Sequence, residues 1–110
     1  MKINTILQKT YDNSDKDSIS IVTDIQFDGY TASVDTYVND SDMQCISKIS
    51  VKSTTGSVQI AYNGYKNTRD IVLKGTRIPK TVITTAINTA IAEAKKAGRV
   101  SICGMIKALV

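Results

Sequence analysis

Residues 18–38 read SISIVTDIQFDGYTASVDTYV, and the fold turns on how this stretch is paired. Asp28-Gly29 is a two-residue turn signal of the kind that takes positive φ. Ile19, Ile21, Thr23, Ile25 and Phe27 alternate on one side of it, and Ala32, Val34, Thr36 and Val38 on the other. A two-residue loop sets Phe27 against Tyr30. It follows that Ile25 faces Ala32, Thr23 faces Val34, Ile21 faces Thr36 and Ile19 faces Val38. Every apolar residue then meets an apolar or threonine partner on one sheet face. Side chains on a strand alternate with a period of two, so a slip by one residue would move all of them into water. The register is therefore strongly specified.

The alternation continues downstream. Met43, Cys45, Ile49 and Val51 share one face of 43–52, and Val58, Ile60 and Tyr62 share one face of 57–62. A turn at Thr54 and Thr55, with Gly56 after it, pairs Val51 with Val58 and Ile49 with Ile60. Asn63-Gly64 is again a tight-turn dipeptide. Its strict register, however, would set Ile60 against Asn67 and Val58 against Arg69. A longer loop over 63–68 sets Ile60 against Ile71 and Val58 against Leu73. That is the register expected, because burying the apolar face outweighs a dipeptide preference. The fifth strand then covers 69–74 and ends at Gly75.

Pro79 stands where a helix can start without the N–H that proline lacks. Val82, Ile83, Ala86, Ile87, Ala90, Ile91, Ala94 and Ala97 follow at helical spacing, which predicts a helix over 79–97. Gly98 suits its C-terminal cap, and Lys95, Lys96 and Arg99 suit the negative end of its dipole. The stripe is narrow and rich in alanine, which allows close packing on a sheet. Upstream, Ile3, Ile6, Leu7 and Tyr11 have 3-4 spacing and predict a short helix over 3–12, with a strand nearly as well supported. Residues 100–110 form an apolar tail, a last strand or a short helix carrying Ile102, Met105, Ile106 and Leu109. Such a tail has to dock on its own chain or serve as a contact between copies. The expectation is one α+β domain over 1–110. It is an antiparallel five-strand meander sheet with one long C-terminal helix packed on one face, and a short N-terminal helix before it.

Composition excludes several classes of function. The chain has no histidine, so Ser-His and Cys-His nucleophile pairs and His-ligated zinc are out. Its glycines punctuate elements and form no phosphate loop. Cys103-Gly104 has no activating base in view. The Asp12, Asp15, Asp17 cluster fails the calcium-loop pattern, since Ser14 and Lys16 fall where ligands belong and no glycine follows. Asp40 and Asp42 lack a third ligand nearby. No enzyme, cofactor or metal centre is expected. Cys45 and Cys103 show no metal spacing and read as buried thiols of a reducing compartment. No apolar run approaches the length of about 18 residues that spans a membrane, and the N-terminus lacks a signal-peptide core. The expectation is a cytoplasmic protein of its own cell or of a host cell, with no membrane partner.

Charge is the positive signal. The net charge is +4, but residues 1–46 hold only Lys2, Lys9 and Lys16 against eight aspartates, whereas after Asp70 the only acid is Glu93. Such a split points to an anionic partner or to self-association. Lys48, Lys52, Lys66, Arg69, Lys74, Arg77, Lys80, Lys95, Lys96 and Arg99 are the candidate anion-facing residues. The partner-binding set expected from them is Lys66, Arg69, Lys74, Arg77, Lys80, Lys95, Lys96 and Arg99, with Tyr65 as an aromatic anchor.

Three readings use this surface. The first is a small non-enzymatic binding module, of the kind carried by phages and mobile elements, which inhibits a host nucleic-acid-handling complex by occupying a charged surface. The second is a protein that binds single- or double-stranded nucleic acid through the basic C-terminal half. Four or five strands followed by a helix is similar to the element order of small single-strand-binding folds of the Whirly kind, which implies base stacking on the sheet. The outer face of the first hairpin offers only Tyr37, beside Asp24 and Asp35, which repel phosphate. The third is a self-associating structural protein, acidic half to basic half, or a homo-oligomer joined through the apolar C-terminal tail. The hairpin register carries the first prediction. Val34→Asp buries a carboxylate against Thr23 and Ile25, so the variant should show no cooperative thermal transition by circular dichroism. A stably folded Val34→Asp protein would contradict the register.

Overall fold

The computed structural model describes residues 3–13, 18–39, 44–96, 106–107 and 109. Six strands and a helix follow one another: β1 (Ile3–Asn13), β2 (Ser18–Phe27), β3 (Tyr30–Asn39), β4 (Gln44–Lys52), β5 (Gly56–Asn63), β6 (Thr68–Gly75) and α1 (Lys80–Lys96). The strands form one antiparallel sheet in chain order, β1-β2-β3-β4-β5-β6.

The first hairpin has the expected register, with Phe27 opposite Tyr30, Ile25 opposite Ala32 and Ile21 opposite Thr36. Asp28 and Gly29 both take positive φ, 47° and 79°, the turn whose twist suits a hairpin. The Phe27 and Tyr30 rings lie tilted beside the turn, 6.2 Å between centroids. The β4–β5 hairpin pairs Val51 with Val58 and Ile49 with Ile60. Ser53 closes its turn, its Oγ accepting from the N–H of Thr55 and Gly56 at 3.3 and 3.1 Å.

The short helix expected over 3–12 is not formed. Those residues are β1, paired with β2 along its length, Ile6 opposite Ile25 and Thr10 opposite Ile21. Three turns of 3-4 spacing carry little helical preference by themselves, whereas the outer edge of a long β2 offers a row of backbone groups that need partners. The five-strand meander is thus present with a sixth strand added at its first edge.

The third hairpin shows where pattern and packing part. Ile60 faces Ile71 and Val58 faces Leu73, as the longer loop requires. The loop geometry comes from asparagines. Asn63 Oδ1 accepts from the N–H of Tyr65 and Lys66 at 3.1 and 3.0 Å, and Asn67 takes a positive φ of 52°. Gly64 lies close against β4: its N–H donates to the Cys45 carbonyl at 2.7 Å, and a Cβ there would stand 2.9 Å from Cys45 Sγ, so that side chain would have to shift. Yet Ile71 and Leu73, expected to be buried by this register, are 51% and 61% exposed.

The helix explains why. Val82, Ala86, Ile87, Ala90 and Ala94 are buried, and α1 lies over β2 and β3. Its start is anchored by the Pro79 carbonyl, which accepts from the N–H of Val82 at 3.1 Å. A helix is about 10 Å across, and six strands at about 4.8 Å span about 24 Å. One helix cannot cover the sheet. The core therefore sits under α1, where Ile21, Ile25, Phe27, Ala32, Val34, Ile49, Val51, Val58 and Ile60 meet it. Ile106 and Leu109 join that core, so these two tail residues dock on their own chain. Gly98, Arg99 and Cys103 lie outside the described residues, and with Cys103 lies the expectation of its buried thiol; Cys45 is half-buried.

One polar pair is sealed in the core. Thr36 Oγ1 and Ser47 Oγ are 3.0 Å apart and both residues are buried. A buried hydroxyl without its partner costs about 1–3 kcal/mol. Thr36→Val should therefore lose stability of that order in chemical denaturation, and the double variant Thr36→Val, Ser47→Ala should regain most of it. A double variant as unstable as the sum of the two single variants would show that the pair contributes only through shape.

Candidate interaction surface

A meander keeps sequence neighbours as spatial neighbours, so the charge split of the sequence becomes a polarity across the sheet. On the face away from α1, β2 and β3 present Asp24 and Asp35, and β4 to β6 present Lys48, Lys52 and Lys74 together with Asp70. Ser20 Oγ donates to Asp35 Oδ1 at 3.2 Å, and Asp35 stands opposite Lys48 across the β3–β4 ladder. Lys48 thus has a carboxylate as its cross-strand neighbour, and the positive charge without such a neighbour lies further along the strands.

The clearest gathering is at the end of the sheet where β4 turns into β5 and β6 leaves for α1. Lys52 pairs with Ser57, and Ser57 with Lys74, so the two lysines flank one serine about 10 Å apart. They line a shallow depression of about 280 Å³ with Ser53, Thr55, Gly56 and Gly75. Two glycines make the junction possible. A Cβ on Gly56 would overlap the Thr76 carbonyl oxygen, and Gly75 has a φ of 68°, where L side chains are strained. Immediately beyond, Arg77 and Lys80 are exposed and border a cleft of about 310 Å³ between β6 and α1. Its apolar wall is Val58, Ile60, Ile71, Leu73, Ile78 and Ile83.

The expected partner-binding residues are thus divided. Lys74, Arg77 and Lys80 come together at this end. Tyr65 and Lys66 lie in the β5–β6 turn, and Arg69 is the second residue of β6, towards the other end of a strand about 26 Å long. Lys95 and Lys96 close α1, about 22 Å along the helix from Lys80. Lys96 Nζ is 3.2 Å from Glu93 Oε1, an exposed pair of small energetic worth. Arg99 lies outside the described residues. The eight described residues do not form one patch. Lys52 belongs with Lys74, as the pairing of Val51 with Val58 and of Val58 with Leu73 already implied. Among the described residues, no three His, Cys, Asp or Glu side chains are grouped to hold a metal ion, and no helix is long and apolar enough to cross a membrane.

Compared with known proteins, the chain matches no family model, and no curated protein and no solved structure is significantly similar to it. The surface itself therefore has to carry the functional reading.

Proposed function

We propose that the protein is a small non-catalytic binding module that docks on an acidic protein surface and blocks that surface to other molecules. The observation that carries this reading is the uncovered apolar cleft bordered by Arg77 and Lys80, with Lys52 and Lys74 at the same end of the sheet on its other face. Charge bordering an apolar anchor is the composition of a protein-binding site. A nucleic-acid surface asks for a different arrangement, a positive track with aromatic rings for stacking. Here the open face carries Asp24, Asp35 and Asp70, and the exposed Tyr65 stands at the far end of β6 from the lysine cluster. The positive end of the sheet would steer an acidic partner, and the attraction would weaken with ionic strength over the Debye length of about 8–10 Å.

The test uses an acidic polypeptide, polyglutamate, and random single- and double-stranded oligonucleotides, each at two salt concentrations. Polyglutamate should bind in a salt-dependent way. The triple variant Lys52→Glu, Arg77→Glu, Lys80→Glu should keep its thermal transition and lose polyglutamate binding by tenfold or more, while Lys95→Glu, Lys96→Glu should lose much less. Equal loss in both variants would dissolve the cluster into general positive charge. Tighter binding to oligonucleotides, with a salt slope that falls by about one for each lysine removed, would transfer the function to nucleic acid.

A further inference from the structure

The last strand of the sheet is apolar on both faces. Ile71 and Leu73 lie on the side of α1, Val72 on the open side, and the three are 51%, 61% and 49% exposed. Every residue of β6 is exposed, and β6 closes the strand order. An exposed, apolar edge strand is a template for another strand.

The direction of its backbone groups can be read from its neighbours. The Gly56 carbonyl accepts from the Ser53 N–H at 2.9 Å, and the Gly64 N–H donates to the Cys45 carbonyl at 2.7 Å. Even-numbered residues of β5 therefore bond towards β4, and Ser57, Gln59 and Ala61 bond towards β6. Their partners there are Lys74, Val72 and Asp70. By the alternation of an antiparallel ladder, Ile71 and Leu73 turn their N–H and C=O groups outward from the sheet.

We infer that β6 is the contact of a homodimer, in which two copies pair antiparallel about a two-fold axis through Val72. This register is self-complementary. Val72 meets its own copy, Ile71 meets Leu73, and Asp70 meets Lys74, the last two pairs each occurring twice. The outward groups of Ile71 and Leu73 supply the ladder bonds. Val72 and the Asp70–Lys74 pairs then fall at non-hydrogen-bonded positions, where side chains stand closest. Neighbouring registers lose this match. An axis between Ile71 and Val72 opposes Arg69 to Lys74, and an axis between Val72 and Leu73 opposes Ile71 to Lys74. An axis on Ile71 opposes Arg69 to Leu73.

The dimer has a structural consequence. Both helices lie on one face of a continuous twelve-stranded sheet, and the two α1–β6 clefts meet over the new ladder. The antiparallel pairing also sets Gly75 of one copy against Arg69 of the other. The Arg77 end of each chain then stands beside the Lys66 end of its mate, reuniting the basic residues that a single copy holds apart. The dimer does not rest on the docking reading, since its test reads mass with no partner present.

The mass of the pure protein should rise from monomer to dimer with concentration in sedimentation equilibrium. Asp70→Lys sets lysine against Lys74 in both pairs and should raise the dissociation constant about tenfold or more. The swap Asp70→Lys, Lys74→Asp should restore dimerisation. Val72→Lys, at an exposed position that leaves folding intact, should be monomeric. Under mild oxidation Val72→Cys should link to itself, identified by peptide mass, and Ile71→Cys should not. A wild type that stays monomeric at every concentration would overturn the proposal. So would a dimer indifferent to Val72→Lys, a folded swap variant that remains monomeric, or a monomer that takes polyglutamate along β6.

Discussion

The packing of α1 on the β2–β3 hairpin sets the terms for the rest of the molecule. Ala86, Ala90 and Ala94 are all buried, and their small side chains let the helix settle closely over Ile25, Ala32 and Val34. That contact needs the hairpin register, because only the pairing started by Asp28-Gly29 brings Ile21, Ile25, Phe27, Ala32 and Val34 to one face. Burial of a side chain such as Val34 contributes about 1.5–3 kcal/mol, and a domain of this size is stable by only a few such terms. The second hairpin then extends the same apolar face through Ile49, Val51, Val58 and Ile60.

The cost of relying on one helix falls on the far edge. The connection from Gly75 to Lys80 is short, so α1 starts beside β6 and crosses to β2 and β3. Beneath its first turns it leaves the cleft walled by Ile71, Leu73, Ile78 and Ile83. The polar exit residues Arg77 and Lys80 border the same place. Apolar exposure and positive charge are therefore neighbours for a topological reason: both lie where the chain leaves the sheet.

The charge distribution has a similar origin. In a fold with long crossovers, acidic and basic halves of a sequence would interleave. In a meander they become adjacent blocks, so Asp24 and Asp35 stay on one side and Lys52 and Lys74 on the other. Asp35 opposite Lys48 marks the seam between them. The polarity of the surface is thus the polarity of the chain, laid out strand by strand.

Much of this was determined by sequence alone. The three hairpin registers among β2 to β6 follow from alternation, because a one-residue slip would invert every face. The helix follows from the 3-4 spacing of its alanines and isoleucines after Pro79. The basic half was visible as composition. The conformation of residues 3–13 was decided by tertiary structure, since four apolar residues at ambiguous spacing yield to the unpaired edge of β2. Tertiary structure also sealed Thr36 and Ser47 in the core, where each hydroxyl could satisfy the other. It gave Gly64 a role in close approach to Cys45 where the dipeptide suggested a turn. Above all, it decided which apolar residues are buried. The pattern of Ile71 and Leu73 is that of a core strand, and nothing in their spacing distinguishes them from Ile49 and Val51. The difference is distance from the helix, a property of the assembled sheet: the width of one helix is less than the width of six strands.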